Sequence, residues 1–143
     1  MMKNIIFDVD DTLYDLMEPF ERAHKELFAG DTDVECEELF KLSRVYSDEA
    51  FYMAREGKIS SEEEFAYRII KSYGDVQVEV DREQAKKFEE RYRYYQNHIH
   101  VPKKMQDLLT LCREQELPMG VLTNGTEKNQ GKKLRTLELE RWF

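Results

Sequence analysis

Two short apolar segments lie far apart in the chain, and each runs into a cluster of polar residues. Residues 3–9 (KNIIFDV) run into DVDDT, and residues 119–122 (MGVL) run into TNGT. Their short length and apolar character predict buried parallel strands. Asp10 and Thr123 are 113 positions apart (123 − 10), whereas a parallel crossover needs only about a dozen residues. This spacing predicts that an α/β unit carries a large insertion.

The residues between the two segments repeat apolar side chains at the spacing of amphipathic helices. Four such patterns follow one another, at residues 15–30, 34–55, 60–74 and 81–95. Ser60 and Glu63 have the spacing of a capping box at the start of the third helix. A further pattern at residues 102–115 is suited to be the crossover helix between the two strands. The insertion is therefore predicted to be all-helical.

These patterns predict an α/β fold with a partial Rossmann-like core of parallel strands and an inserted all-helical cap. The core comprises residues 1–15 and 98–143, and the cap domain comprises residues 16–97. A cap inserted after the first strand lies next to the carboxyl ends of the strands, where open α/β sheets bind their ligands. The expected ligand site is at this edge of the sheet.

Composition narrows the possible partners. Apolar residues make up 41% of the 143 residues and include 8 Phe and 8 Tyr, so the chain can form a core. The net charge of −8 disfavours binding to nucleic acid or to an anionic membrane surface. No signal peptide or membrane span is evident, and Cys36 and Cys112 fit no metal or disulfide motif. A cytoplasmic protein with reduced thiols and a small-molecule partner is expected.

Asp8 and Asp10 lie two positions apart at the end of the first predicted strand. On an extended chain, side chains two positions apart project to the same side. Two ionised carboxylates about 4 Å apart repel by about 4 kcal/mol at an effective dielectric constant of 20. Such a pair needs a cation or a shared proton, and Mg²⁺ suits oxygen ligands beside a phosphate.

Thr123, Asn124 and Gly125 follow the second predicted strand and precede a helix. A hydroxyl, a side-chain amide and backbone N–H groups at a helix N-terminus form a favourable place for an anion. Phosphate is the anion that this turn is expected to hold.

The segments DVDDTLYD and VLTNG resemble the first two motifs of the haloacid dehalogenase (HAD) superfamily, and the layout resembles its branch of phosphatases with helical caps. The resemblance implies that Asp8 is the nucleophile, forming an aspartyl-phosphate, and that Asp10 is the general acid and base. It also implies that Asp8 and the Asp10 main-chain carbonyl bind Mg²⁺ and that Thr123 binds phosphate, with Thr12, Asn124 and Gly125 completing the substrate site. An acid at position 10 favours phosphate esters over halides, because a leaving halide needs no proton.

The third motif of the superfamily, a lysine, and its fourth, an acidic pair, are not found in the 143 residues. Lys128, Lys132 and Lys133 follow the second motif too closely and are expected to be solvated helix residues. The chain is therefore expected to be a fragment of a longer hydrolase, or to pair with a second copy through an open sheet edge. A non-catalytic remnant that binds phosphate or a protein partner is the alternative interpretation.

Overall fold

The computed structural model describes residues 4–143, so residues 1–3 of the predicted core lie outside the described part. Contacts divide the chain into two compact units. The first comprises the residues up to Glu18 together with Gln96–Phe143, and the second comprises Pro19–Tyr95. The domain limits drawn from the sequence, at residues 15 and 98, stay predictions.

The described elements confirm an α/β core with an inserted helical segment. In chain order they are β1 Ile5–Phe7, α1 Glu18–Leu27, α2 Cys36–Arg55, α3 Glu64–Asp75, α4 Arg82–Gln96, α5 Lys103–Glu114, β2 Met119–Val121 and α6 Glu127–Thr136. Short 3₁₀ turns at Ser61–Glu63 and Leu139–Arg141 precede α3 and follow α6, respectively. Each predicted strand and helix is therefore present, and most are shorter than the sequence patterns indicate; α4 keeps the predicted length and is shifted by one residue.

The first unit is built on a parallel pair of strands. β1 and β2 pair in parallel, with Ile5 opposite Met119 and Phe7 opposite Val121. One apolar cluster combines residues from both strands, the turn after β1, α5 and the C-terminal segment; it includes Phe7, Val9, Leu13, Tyr14, Leu109, Leu137 and Leu139. Ile6 points away from this cluster and is 69% exposed. The predicted pairing of two copies through the sheet edge stays a prediction.

The second unit has an aromatic core. Phe88 of α4 is fully buried, and its ring centroid lies 5.2 Å from that of Phe20 and 6.0 Å from that of Tyr73. Phe28 and Phe65 also place their rings within 6.2 Å of Phe88. Aromatic pairs at these separations add stabilisation beyond the area that they bury. Phe88 therefore joins α4 to α1, to the segment after α1 and to α3.

The predicted capping box is present at the start of the third helical segment. The Glu63 backbone N–H donates to the Ser60 hydroxyl at 3.2 Å, and the Ser60 backbone N–H donates to the Glu63 carboxylate at 3.5 Å. The capping box lies at the start of the 3₁₀ turn Ser61–Glu63 rather than at the start of α3 itself. The local signal thus identified the start of the segment, while its first turn is tighter than an α-helix.

Two buried polar side chains of the second unit form a hydrogen bond with each other. His24 Nδ1 and the Tyr73 hydroxyl lie 2.6 Å apart in the core. Burial lowers the pKa of His24 and raises the pKa of Tyr73, so both stay uncharged at neutral pH. This pair lets two polar side chains enter an apolar core without an unsatisfied group.

Cys36 and Cys112 are free thiols, as the sequence predicts. Burial raises the pKa of Cys36 to about 11, so its thiol is protonated at neutral pH. Between residues 4 and 143, no helix combines the length and the apolar character needed to cross a bilayer.

Candidate functional site

The turns that follow β1 and β2 leave the sheet at the same edge. Phe7 pairs with Val121, and the Leu122 backbone N–H donates to the Phe7 carbonyl at 2.9 Å, which continues the parallel ladder. Because the strands are parallel, their carboxyl ends meet at one edge. Asp8 therefore leaves the sheet beside the segment that leads to Thr123.

The chain folds back on itself directly after β1. Val9 is fully buried, while Asp8 is exposed and Asp10 is partly buried, so the alternation of the strand continues through these residues. The Val9 carbonyl accepts hydrogen bonds from the backbone N–H groups of Thr12 and Leu13, at 3.3 and 2.9 Å. The Thr12 side chain is exposed in this turn. Burial of Val9 anchors the turn and presents the two carboxylates on its polar side.

Asp11 is the point at which the backbone reverses. Its φ angle of 61° lies in the left-handed region, which Asp and Asn adopt more readily than other non-glycine residues. Its carboxylate accepts a hydrogen bond from the Leu16 backbone N–H at 3.3 Å. Asp11 thus has a structural role in shaping the turn that carries Asp8 and Asp10.

One oxygen of the Asp10 carboxylate is held by two donors. The Tyr14 hydroxyl donates to Asp10 Oδ1 at 2.7 Å, and Lys133 Nζ donates to the same oxygen at 2.7 Å. The Lys133 side chain is only 20% exposed and that of Asp10 is 31% exposed. Charge-assisted hydrogen bonds in partly desolvated surroundings are stronger than exposed ion pairs. The expectation that Lys133 is a solvated helix residue is therefore wrong.

A helical pattern in the sequence could have shown that Lys133 lies on the buried face of its helix. Gln130, Lys133, Leu134 and Leu137 stand at the i, i+3, i+4 and i+7 positions that share one helix face. Gln130 and Leu137 are buried, and Leu134 packs against the apolar cluster of the first unit. Lys128 and Lys132 lie outside this face and are exposed, so the expectation for them is confirmed.

The turn after β2 is held by the same helix face. The Thr123 hydroxyl donates to Gln130 Oε1 at 2.9 Å, and Gln130 is only 8% exposed. Thr126 caps α6, its side chain accepting a hydrogen bond from the Asn129 backbone N–H at 3.3 Å. Asn124 is exposed within this turn. One face of α6 therefore contacts both polar turns, through Gln130 on the β2 side and Lys133 on the β1 side.

Gly125 allows this close approach between the turn and the helix. Its φ angle is +130°, and a Cβ atom built on it would lie 2.6 Å from Gln130 Nε2. Only glycine adopts such a backbone conformation without strain. A side chain at this position would also push Gln130 away from Thr123.

Gly125→Ala is expected to lower the unfolding free energy by about 1–3 kcal/mol, because it combines backbone strain with displacement of the buried Gln130 side chain. Chemical unfolding followed by the fluorescence of Trp142, the single tryptophan, measures the change. Gly120→Ala is the matched control, since a Cβ there would meet no atom within 4 Å. Equal unfolding free energies for the two variants would contradict this account of the turn.

Comparison with protein families now identifies the class of protein. The sequence profile described as haloacid dehalogenase-like hydrolase, in the class of hydrolases, matches residues 2–143. The chain belongs to this family. A comparison with curated proteins finds no match.

Solved structures of HAD proteins share the fold of the chain. YfnB from Bacillus subtilis, assigned as a HAD-hydrolase and solved bound to magnesium, is 23% identical, with a TM-score of 0.58 over 99% of this chain and 61% of that one. The L-2-haloacid dehalogenase of Xanthobacter autotrophicus is 17% identical, with a TM-score of 0.58 over 100% of this chain and 55% of that one. A Thermotoga maritima protein assigned as a β-phosphoglucomutase is 16% identical, with a TM-score of 0.51 over 99% of this chain and 59% of that one. The HAD chain thus spans about 55–61% of these structures.

Proposed function

We propose that this HAD chain carries the nucleophile and phosphate-binding half of a Mg²⁺-dependent phosphatase site that acts on a small phosphorylated metabolite. The observation that supports it most is the Asp10 carboxylate, fixed at the carboxyl edge of the sheet by Tyr14 and Lys133. An alkoxide leaving group needs a proton, whereas a halide leaves as a stable anion. A fixed acid two positions after Asp8 therefore favours phosphate esters over haloacids.

The proposed reaction has two steps. An oxygen of the Asp8 carboxylate attacks phosphorus, and the bond from phosphorus to the ester oxygen breaks while Asp10, which enters this step in its protonated form, gives that oxygen its proton and becomes a carboxylate. In the second step Asp10 takes a proton from water, the water oxygen attacks phosphorus, and the bond to Asp8 breaks to release inorganic phosphate. A carboxylate nucleophile divides one difficult hydrolysis into two easier steps.

The oxygen donors of this chain fit Mg²⁺ in kind. Mg²⁺ prefers oxygen ligands and is commonly bound by one or two carboxylates together with several waters. As the resemblance to the superfamily implies, the Asp8 carboxylate and the Asp10 main-chain carbonyl would hold it. When bound, the ion would supply positive charge that offsets the repulsion between the nucleophile and the phosphate. Within residues 4–143 no group of three His, Cys, Asp or Glu residues is arranged to hold a metal, so weak binding is expected.

The turn after β2 and the start of α6 would bind the transferred phosphoryl group. Asn124 offers an amide, and Gly125 exposes the backbone beside it. The Thr123 hydroxyl would exchange its hydrogen bond to Gln130 for one to the phosphoryl group. The N-terminus of α6 adds free N–H groups and a favourable dipole. The exposed Thr12 hydroxyl, in the turn after β1, would be a further group that binds the phosphoryl oxygens.

A phosphate-release assay tests this proposal. The chain is incubated with a panel of phosphorylated sugars and nucleotides, with Mg²⁺ and separately with a chelator. We expect Mg²⁺-dependent release from at least one ester, and no halide release from a 2-haloacid tested in parallel. Phosphate binding without turnover would instead support the non-catalytic remnant, and halide release would support a dehalogenase.

A further inference from the structure

Among residues 4–143, the side-chain hydrogen bonds that restrain the Asp10 carboxylate reach one of its two oxygens. The donor atoms of Tyr14 and Lys133 both reach Oδ1, each at 2.7 Å, and neither occupies Oδ2. A carboxylate held at one oxygen keeps a defined plane and directs its other oxygen in a fixed direction. Two donors on one oxygen also restrain the Asp10 carboxylate more firmly than one donor does, because they approach that oxygen from different directions.

Tyr14 and Lys133, the two donors, both belong to well-packed parts of the first unit. Tyr14 is 3% exposed and belongs to the apolar cluster under the sheet. Lys133 lies on the inward face of α6, between Gln130 and Leu137, the residue directly after the helix, and both of these residues are buried. Lys133 Nζ lies 5.8 Å from the centre of the Tyr14 ring, so the ammonium and the phenol also contact each other. The ordering of these two side chains is therefore provided by the fold before any substrate binds.

We propose that Lys133 and Tyr14 are positioning residues for Asp10. They hold Oδ1 so that Oδ2 is the atom that gives the proton to the leaving group and later takes one from water. This inference rests on the proposed phosphatase function. It assigns a task to Tyr14, which lies within the first motif segment DVDDTLYD, and to Lys133, which lies outside both motif segments on a helix 123 positions away from Asp10.

Leaving-group dependence separates positioning from a merely structural role. A nitrophenyl phosphate releases a stable phenolate and needs little help from an acid, whereas an alkyl phosphate needs the proton. Lys133→Met is therefore expected to lower kcat for the alkyl ester at least about ten-fold more than for the nitrophenyl ester, with KM little changed. Tyr14→Phe is expected to act in the same direction with a smaller difference. Lys133→Arg is expected to restore part of the loss, since it keeps the charged donor.

Lys132→Met is the matched control. Lys132 is the preceding residue on α6, carries the same charge and is exposed, so its variant is expected to treat both esters as the wild type does. Equal losses of kcat for the two esters in Lys133→Met and Tyr14→Phe would overturn the inference and leave the proposed function standing. A wild-type chain that releases phosphate from neither ester would overturn both.

A double-mutant cycle tests the contact itself without any turnover. Asp10→Asn and Lys133→Met are each expected to lower the denaturant midpoint of unfolding. The double variant is expected to unfold at nearly the same denaturant concentration as the less stable single variant, because both changes remove one interaction. Additive shifts of the midpoint would show that Lys133 does not hold Asp10 in solution and would overturn the inference.

Discussion

Asp8→Asn is expected to lower kcat for phosphate-ester hydrolysis by at least about a thousand-fold. The substitution keeps the size and one oxygen of the side chain but removes the negative charge that the nucleophile needs. Asp8 is exposed at the end of β1 and has no part in the apolar cluster below it, so the fold should be unaffected. Phosphate release and the denaturant midpoint, measured on the same preparation, distinguish lost chemistry from lost structure.

Asp11→Asn provides the control for charge. Asp11 lies in the same turn and its substitution removes the same charge, and Asn tolerates the φ angle of 61° found there. Its activity is expected to stay within about two- to three-fold of the wild type, as for a substitution away from the reacting atoms. Activity that survives in Asp8→Asn, or that disappears equally in both variants, would remove Asp8 from the role of nucleophile.

Local signals predicted much of the fold. The short apolar segments around Ile5 and Met119 indicated parallel strands, and the register confirms their pairing. Ser60 and Glu63 marked the start of a helical segment, because a capping box depends only on residues three positions apart. Signals of this kind can be read from one stretch of chain, since the atoms that they bring together belong to that stretch.

The contacts around Asp10 needed the tertiary structure. The ion pair between Asp10 and Lys133 joins residues 123 positions apart, and only the packing of α6 against the strands brings them together. The hydrogen bond from Thr123 to Gln130 spans seven positions, yet it depends on the reversal at Gly125 rather than on helical periodicity. The roles proposed for Asp8, Asp10 and Thr123 stay predictions of the sequence motifs.

The sequence patterns also did not indicate which polar residues are buried inside the second unit. Ser43 is a polar residue of α2, yet it is fully buried and accepts a hydrogen bond from Arg68 Nε at 2.7 Å. The guanidinium of Arg68 lies 4.8 Å from the centre of the Phe65 ring and 5.6 Å from that of Tyr92. Burial lowers the pKa of Arg68 from its usual value. Hydrophobic periodicity cannot reveal that Arg68 is buried, because its burial depends on aromatic rings from another turn of α3 and from α4.

Phe88→Ala is expected to lower the unfolding free energy of the second unit by about 3–5 kcal/mol. Phe88 is fully buried and contacts aromatic rings from α1, the segment after it and α3. Removal of its ring leaves a cavity that these large side chains cannot all fill. The helices of this unit dominate the far-UV circular dichroism, whereas Trp142 belongs to the first unit. Denaturation followed by both signals therefore reports on the two units separately.

Phe51→Ala is the matched control, because Phe51 lies on α2 of the same unit and is 49% exposed. The same substitution at an exposed site is expected to cost less than about 1 kcal/mol. If Phe88→Ala lowers the circular dichroism midpoint and leaves the Trp142 midpoint unchanged, the aromatic core stabilises the inserted helices alone. If both midpoints fall together, the two units unfold as one cooperative structure, and the helical insertion then contributes to the stability of the turns that carry Asp8 and Thr123. Equal midpoints for Phe88→Ala and Phe51→Ala would contradict the central place of Phe88 in this core.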